Sequence, residues 1–384
     1  MTSLLVIIVL VLLAIALWQL TKIFDLTQVG VNRDNSQIAN DDDNNIQGYL
    51  MFGFLAFIYI FTIYGLIKWG GLVLHTPASE HGGMVDNLMN ITWVVIFLVQ
   101  AFTQVLVHYF AFKYRGAKDK KALYFSDSNK LEIIWSGIPA VVLAVLILYG
   151  LYAWTNIMFI DEEDDTIVIE VYAQQFNWKA RYSGADNVLG KANVRLIDGV
   201  NALGVDLADP NAQDDIVVTE LHIPKGKKIH FKFRSQDVLH SAYFPHFRSQ
   251  MNCVPGMVTE FAFTPIYTTD EYRELPYMIE KVANINKIRS DKSIDLVAKG
   301  EAALDPYTFD FLLLCNKICG ASHYNMQMKV VVDTPEDYKK WLSDKPTLVQ
   351  EVKTANAPAA SPDGVGKDST QTKDTTAISK IAMK

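Results

Sequence analysis

Four apolar stretches crowd into the first 154 residues, at 4–20, 49–67, 92–112 and 133–154, and no other feature restricts the fold as strongly. Each approaches the roughly 20 residues with which a helix crosses a hydrocarbon core of about 30 Å. Backbone in lipid must satisfy its own polar groups, so membrane helices are the expected form. From residue 161 onward the chain turns polar and reads as a water-exposed part.

A cleaved leader is the competing reading of the first stretch. Leaders carry a basic start and a small-residue cleavage site. Met1-Thr2-Ser3 has no basic side chain, and no A-x-A site follows Trp18. Topology decides further: the loop after the third stretch carries Lys113, Arg115, Lys118, Lys120, Lys121 and Lys130, and such loops stay on the cytoplasmic side. The polar part is then outside. Counting back, a chain with four retained helices starts outside, which suits an uncharged beginning.

The polar part predicts an all-β sandwich. Residues 166–172 (TIVIEVY) alternate β-branched and polar side chains, and further strands are expected at 216–223, 228–233, 258–264 and 329–332. Turn signals such as Pro224-Lys225-Gly226 separate them. Two stretches break the rhythm and read as surface insertions: 183–215, rich in Asn, Asp and Gly, and 268–306, in which 280–288 is expected to be helical. Residues 346–384 hold too few apolar side chains to bury and are expected to be a disordered tail. The expected domains are therefore an N-terminal helical pair (1–90), a second helical hairpin (91–156), a β domain (157–345) and the tail.

Chemistry concentrates in Cys315-Asn316-Lys317-Ile318-Cys319-Gly320-Ala321-Ser322-His323-Tyr324-Asn325-Met326, where two thiols, an imidazole and a thioether share twelve residues. Thiolate and thioether are soft ligands that select copper, and imidazole suits it as well. Asp237-Val238-Leu239-His240-Ser241 brings a second imidazole, expected at the end of a strand. Three residues between the cysteines let both sulfurs face one point and bridge two ions, with His240 and His323 each capping one and Met326 a weak ligand. A Cys₂His₂ zinc site uses the same side chains but leaves Met326 unexplained. Three cysteines argue against a disulfide framework. The net charge of −7 and the run Asp161-Glu162-Glu163-Asp164-Asp165 suit a basic protein partner and not nucleic acid.

The pattern C-x-x-x-C-G-x-x-H-x-x-M, preceded by D-V-x-H-S, resembles the binuclear copper (CuA) domain of cytochrome c oxidase subunit II, in a bacterial form with two extra N-terminal helices. The likeness spans roughly 92–333 and implies a cupredoxin-like sandwich behind four transmembrane helices. It implies copper ligands His240, Cys315, the carbonyl of Lys317, Cys319, His323 and Met326. Asn129-Lys130-Leu131-Glu132-Ile133-Ile134-Trp135 resembles the family's second-helix signature, in which the acid matching Glu132 lies near the mouth of a proton pathway. Gln175-Phe176-Asn177-Trp178 resembles its aromatic segment, where the first aromatic receives the electron from cytochrome c; here Phe176 replaces the usual Trp, and Phe176 and Trp178 are the expected electron input.

The family's Glu between the cysteines is Lys317, and a cation does not ligate a cation, which argues against a magnesium ligand from this chain. Its usual Lys, Asp and Arg are Gln250, Asn252 and Met257, so neutral groups replace a charged network, and Cys253 reads as a buried hydrophobe. His75, His81, His222, His230 and His246 have no partner at ligand spacing and read as core or surface residues.

The resemblance implies an electron-transfer subunit that accepts electrons from cytochrome c, or a membrane-bound c-type haem donor, and passes them to haem in subunit I, coupled to oxygen reduction and proton translocation. Subunit III, the lipid bilayer and a respiratory supercomplex are the further partners implied. The expected location is a bacterial inner membrane, multi-pass, with the copper domain periplasmic. No C-x-x-C-H occurs, so no covalent haem is expected in this chain. A quinol oxidase subunit lacks the two cysteines, nitrous oxide reductase lacks the helices, and a membrane-anchored copper delivery or storage protein is the alternative reading.

Overall fold

The computed structural model of the protein describes residues 2–27, 41–160 and 165–356. Four apolar helices come first: α1 (Thr2–Thr27), α2 (Asp41–Trp69), α3 (Gly82–Lys113) and α4 (Asn129–Met158). Among the described residues α2, α3 and α4 are long and apolar enough to cross a membrane, and the described side chains of α1 form an apolar stretch over Ile8–Thr21. Asp41, Asp42 and Asp43 sit in the first turn of α2 and Lys68 in its last, complementing the helix dipole. Ser128 caps α4 by accepting from the Leu131 N–H.

α2 and α3 run antiparallel. Phe112 near the end of α3 packs on Tyr49 and Phe52 near the start of α2, and the Tyr59 hydroxyl donates to the Ala101 carbonyl. The basic loop after α3 folds back onto the start of α2: Arg115 Nε donates to Asn45 Oδ1 at 2.7 Å, and the Lys118 N–H donates to Asp41 Oδ1 at 2.9 Å. The opposite loop, between α2 and α3, is part of the soluble domain. Ala78 and Ser79 are completely buried there, the Ala78 N–H donates to the His246 carbonyl at 2.7 Å, and Ser79 pairs with Pro265 as an antiparallel bridge. Arg248 clamps this loop, donating to both carboxylate oxygens of Asp86 and to the His75 carbonyl.

The soluble domain is a sandwich of two five-stranded sheets. One is ordered β3 (Ile216–Val218), β2 (Asn177–Tyr182), β1 (Thr166–Gln174), β5 (Lys228–Ser235), β8 (Thr259–Phe263). The other is ordered β4 (Leu221–Pro224), β10 (Gln327–Asp333), β9 (Phe311–Cys315), β6 (His240–Phe244), β7 (Ser249–Cys253). β1 pairs with β5, and β4 with β10, in parallel, and the other pairs are antiparallel. Alternation along β5 sends Ile229, Phe231 and Phe233 inward, where they meet Phe244, Phe247, Phe263 and Phe311.

Several expectations need correction. Residues 216–223 form two strands in different sheets, because the chain bends at Thr219-Glu220 and crosses the sandwich; alternation alone does not say which sheet a residue joins. His240 begins a strand and does not end one. The 268–306 insertion contains α5 (Thr269–Arg273) and α6 (Pro276–Ala298), the latter far longer than 280–288. The 183–215 insertion is more than surface, since Leu203, Val205 and Ala212 bury against Tyr172 and Leu348 as a second small core. After α7 (Pro335–Ser343), the first part of the expected tail folds as α8 (Leu348–Ala355), closed by a Thr347/Gln350 capping box, and only 357–384 lie outside the described residues. Residues 161–164 of the acidic run also lie outside them.

His246 shows how the aromatic core constrains a titratable group. Its ring stands edge-on to Tyr272, Phe309 and Phe311, and its Nδ1 is buried with no hydrogen-bond partner. Burial, with the charges of Lys281, His75 and Arg248, pulls its pKa down to about 4. The unfolded chain then binds the extra proton first, so stability is full above about pH 6.5 and falls as the pH drops toward 4. At about 1.4 kcal/mol per pKa unit the loss reaches at most about 3.5 kcal/mol. Thermal melts of wild type and His246→Phe across this window test it; a variant that loses stability on acidification as steeply as wild type would remove His246 as a cause.

Candidate metal centre

Adjacent strands of the second sheet deliver the ligands. β6 and β9 pair so that Ala242 lies opposite Cys315, which puts His240, two residues before Ala242, beside the loop that leaves β9. The loop returns to β10 with the Cys315 N–H donating to the Met326 carbonyl at 3.1 Å, and the Asn316 N–H donates to the Ser241 carbonyl at 3.0 Å. His323 rides on a single 3₁₀ turn, His323–Asn325.

All the residues singled out for metal converge. The two cysteine sulfurs stand 3.8 Å apart, far beyond the roughly 2.05 Å of a disulfide. At that separation both thiols could serve the same metal site. Cys315 Sγ lies 3.7 Å from His240 Nδ1 and 3.2 Å from the Lys317 carbonyl oxygen. Cys319 Sγ lies 3.6 Å from His323 Nδ1 and 3.8 Å from Met326 Sδ. The donor set is thus a pair of thiols with an imidazole and a carbonyl beside Cys315 and an imidazole and a thioether beside Cys319, a chemistry that fits soft metal ions. Among the described residues, His240, Cys315 and Cys319 are the group of His, Cys, Asp and Glu whose ligand atoms lie within 4.8 Å of one another.

His240 and Met326 are buried and Cys319 nearly so, while Ile318 and Tyr324 on the same loop are 87% exposed. Burial, and next the Cys315 thiol, push the Cys319 thiol up to about 11, so a metal must displace its proton. Asp237 is the partner that the residue pattern did not assign. Its Oδ1 lies 2.9 Å from His240 Nε2, orienting the ring so that Nδ1 faces Cys315. Burial raises the Asp237 carboxyl, but N–H donors from Gln175, His240 and Val238 outweigh it and hold the pKa below its usual value. The three-residue spacing to His240 was the signal available.

The turn from β1 to β2 buttresses the loop. Gln175 Nε2 donates to the Cys319 carbonyl at 2.5 Å, and Trp178 Nε1 to the Met326 carbonyl at 3.4 Å. Phe176 packs over Gly320, whose φ is +138° and where an added β-carbon would meet the ring at 2.9 Å, so glycine is required there. Trp178 is buried beside His240, with ring centroids 6.1 Å apart, whereas Phe176 is half-buried. Glu132 lies apart from this centre, exposed in the first turn of α4. The Lys317 side chain is exposed, and Cys253 is a buried thiol that burial pushes up to about 12. His75, His81, His222, His230 and His246 make ring or carboxylate contacts away from the cluster.

Residues 67–152 match the family model described as cytochrome c oxidase subunit II, transmembrane domain. The alternative cytochrome c oxidase subunit 2 of Bradyrhizobium diazoefficiens is 33% identical over 295 residues, covering 74% of this chain and 90% of that one. Cytochrome c oxidase subunit 2 of Thermostichus vulcanus is 23% identical over 70% of this chain and 77% of its own. Among solved structures, the periplasmic domain of subunit II of cytochrome oxidase of Bradyrhizobium japonicum matches at 18% identity and a TM-score of 0.28, covering 50% of this chain and 99% of that one. At that score the superposition carries no argument, and the fold rests on the strand order described above.

Proposed function

The chain belongs to the cytochrome c oxidase subunit II family, and from that membership we propose that His240, Cys315, the Lys317 carbonyl, Cys319, His323 and Met326 hold a pair of copper ions. The protein is an electron-transfer subunit of a haem–copper oxidase. The observation that carries the copper assignment is the paired sulfurs at 3.8 Å, flanked by His240 Nδ1, His323 Nδ1, Met326 Sδ and the Lys317 carbonyl. A bound copper pair would supply a one-electron redox couple at this donor set. The residues themselves hold the site stiff: the strand register fixes both ends of the loop, Asp237 orients His240, and Gln175 and Trp178 pin its carbonyls. A cage that moves little suits rapid electron exchange.

The donor, cytochrome c or a membrane-bound c-type haem, docks in this reading near Phe176, which lies over Gly320 at the surface side of the loop. Trp178 sits deeper, against His240. The acceptor is haem in subunit I, with subunit III, the bilayer and a respiratory supercomplex as further partners. In this reading the basic loop at 113–121, which hydrogen-bonds to the start of α2, faces the cytoplasm across a bacterial inner membrane and the copper domain is periplasmic; the cationic side chains of that loop support it. Glu132, at the cytoplasmic end of α4, is the candidate for the mouth of a proton pathway. The domain bounds in this reading are 1–90, 91–156 and a copper domain from 157 that includes α8. Lys317, exposed and cationic, contributes its carbonyl and supplies no magnesium ligand.

Metal analysis with electron paramagnetic resonance on the purified subunit tests this. Two coppers per chain sharing one unpaired electron are expected. Zinc, or a single isolated copper, would overturn the assignment.

A further inference from the structure

Between the end of α2 and the first turns of α3 lies a cavity of about 620 Å³ that takes no part in the copper centre. Its volume is within the range typical of small-molecule sites. Its lower walls are apolar: Leu66, Val73, Trp93 and Phe97. Its upper end is polar, where the α2–α3 loop and the start of α3 bring in His75, Thr76, Asp86 and Asn90. The cavity therefore straddles the boundary between hydrocarbon and water, and its side is open, with Leu66 49%, Val73 65% and Trp93 42% exposed.

We propose that this cavity is a specific binding site for a phospholipid, with the phosphate headgroup at the polar end and the upper acyl chains against Leu66, Trp93 and Phe97. Two groups at that end are available to a headgroup: the Asn90 amide and the His75 ring nitrogens have no hydrogen-bond partner among the described residues, although His75 is held flat against Tyr277 with centroids 5.2 Å apart. Charge complementarity favours an anion. Arg248 is already paired with Asp86, so Lys281, whose charge acts on the His75 ring, is the cation left to face an anion there. A free phosphate ion would leave the apolar walls uncovered, and a lipid covers both ends. Trp93 at this depth matches the interfacial preference of indole, which anchors to headgroups. The headgroup would rest against the loop that ties α2 to the copper domain, so the bound lipid would fill the gap beneath that joint.

The oxidase complex containing this chain, in its own membrane, is photolabelled with phosphatidylglycerol carrying a diazirine on the acyl chain near the glycerol, and the adducts are mapped. Adducts should concentrate on residues 66–76 and 90–97. Excess unlabelled phosphatidylglycerol should compete with them, and diacylglycerol, which lacks the phosphate, should not. Gly70→Phe fills the cavity from a position where an added β-carbon meets no atom within 4 Å, and should cut labelling there several-fold while copper content and assembly stay at wild-type level. Labelling spread evenly over the exposed faces of α2, α3 and α4 and unchanged by Gly70→Phe would mean annular lipid only and overturn the proposal. So would equal competition by diacylglycerol, or a photoreactive residue at position 93 that crosslinks to another subunit and not to lipid.

Discussion

Replacing Cys319 by serine is expected to abolish oxidase turnover with reduced cytochrome c while leaving the β sandwich folded. Cys319 Sγ lies within 3.8 Å of Cys315 Sγ and Met326 Sδ and 3.6 Å from His323 Nδ1. A serine hydroxyl is a hard donor that stays protonated near neutral pH and is a poor ligand for a soft ion. Losing a group that only orients a metal ligand costs about 10–100-fold, so loss of a ligand itself should exceed about 100-fold. The fold does not depend on this thiol, because the strand ends are held by backbone bonds between Cys315 and Met326 and between Asn316 and Ser241. Copper content, turnover and circular dichroism of the variant are the measurements. Two coppers per chain together with wild-type turnover would remove Cys319 from the site.

The second large effect concerns stability. Arg181 lies between β1 and the 183–215 insertion, 2.6 Å from Glu170 and 2.9 Å from Asp215, and all three side chains are at most 3% exposed. It also donates to the Gly190 carbonyl, and Arg234 shares Glu170 from the other side. Arg181→Met keeps the bulk but strands Asp215, and breaking a buried pair by removing one partner costs about 3–5 kcal/mol. Burial already raises the Asp215 carboxyl to about 6 against the opposing pull of Arg181, so the variant should shift it further toward the neutral form. The thermal midpoint should drop by many degrees, and the double variant Arg181→Met with Asp215→Asn should recover part of the loss. A single variant within about 0.5 kcal/mol of wild type, the scatter of ordinary surface changes, would show the network to be dispensable.

The copper ligands were legible because they are compressed: five of the six residues lie between Cys315 and Met326, where chain connectivity alone keeps them close. His240 stands 75 residues from Cys315, and only the pairing of β6 with β9 brings it to 3.7 Å. Asp237 and Gln175 were not legible as supports, since their roles depend on which carbonyls and ring nitrogens the fold presents to them. The long α6 was half seen, because polar and apolar residues mix along it without a clean stripe.

Local physics settles whatever depends on neighbours along the chain. Runs of apolar residues forced membrane helices, alternation forced strands, and soft donors at close spacing pointed to a soft metal. Tertiary structure alone decided which sheet receives residues 216–218 and which receives 221–224, how the α2–α3 loop joins the sandwich through Ala78 and Ser79, and how α8 closes the second core. Those outcomes rest on buried area and hydrogen bonds between segments from about 35 to more than 150 residues apart, and no local pattern encodes such pairings.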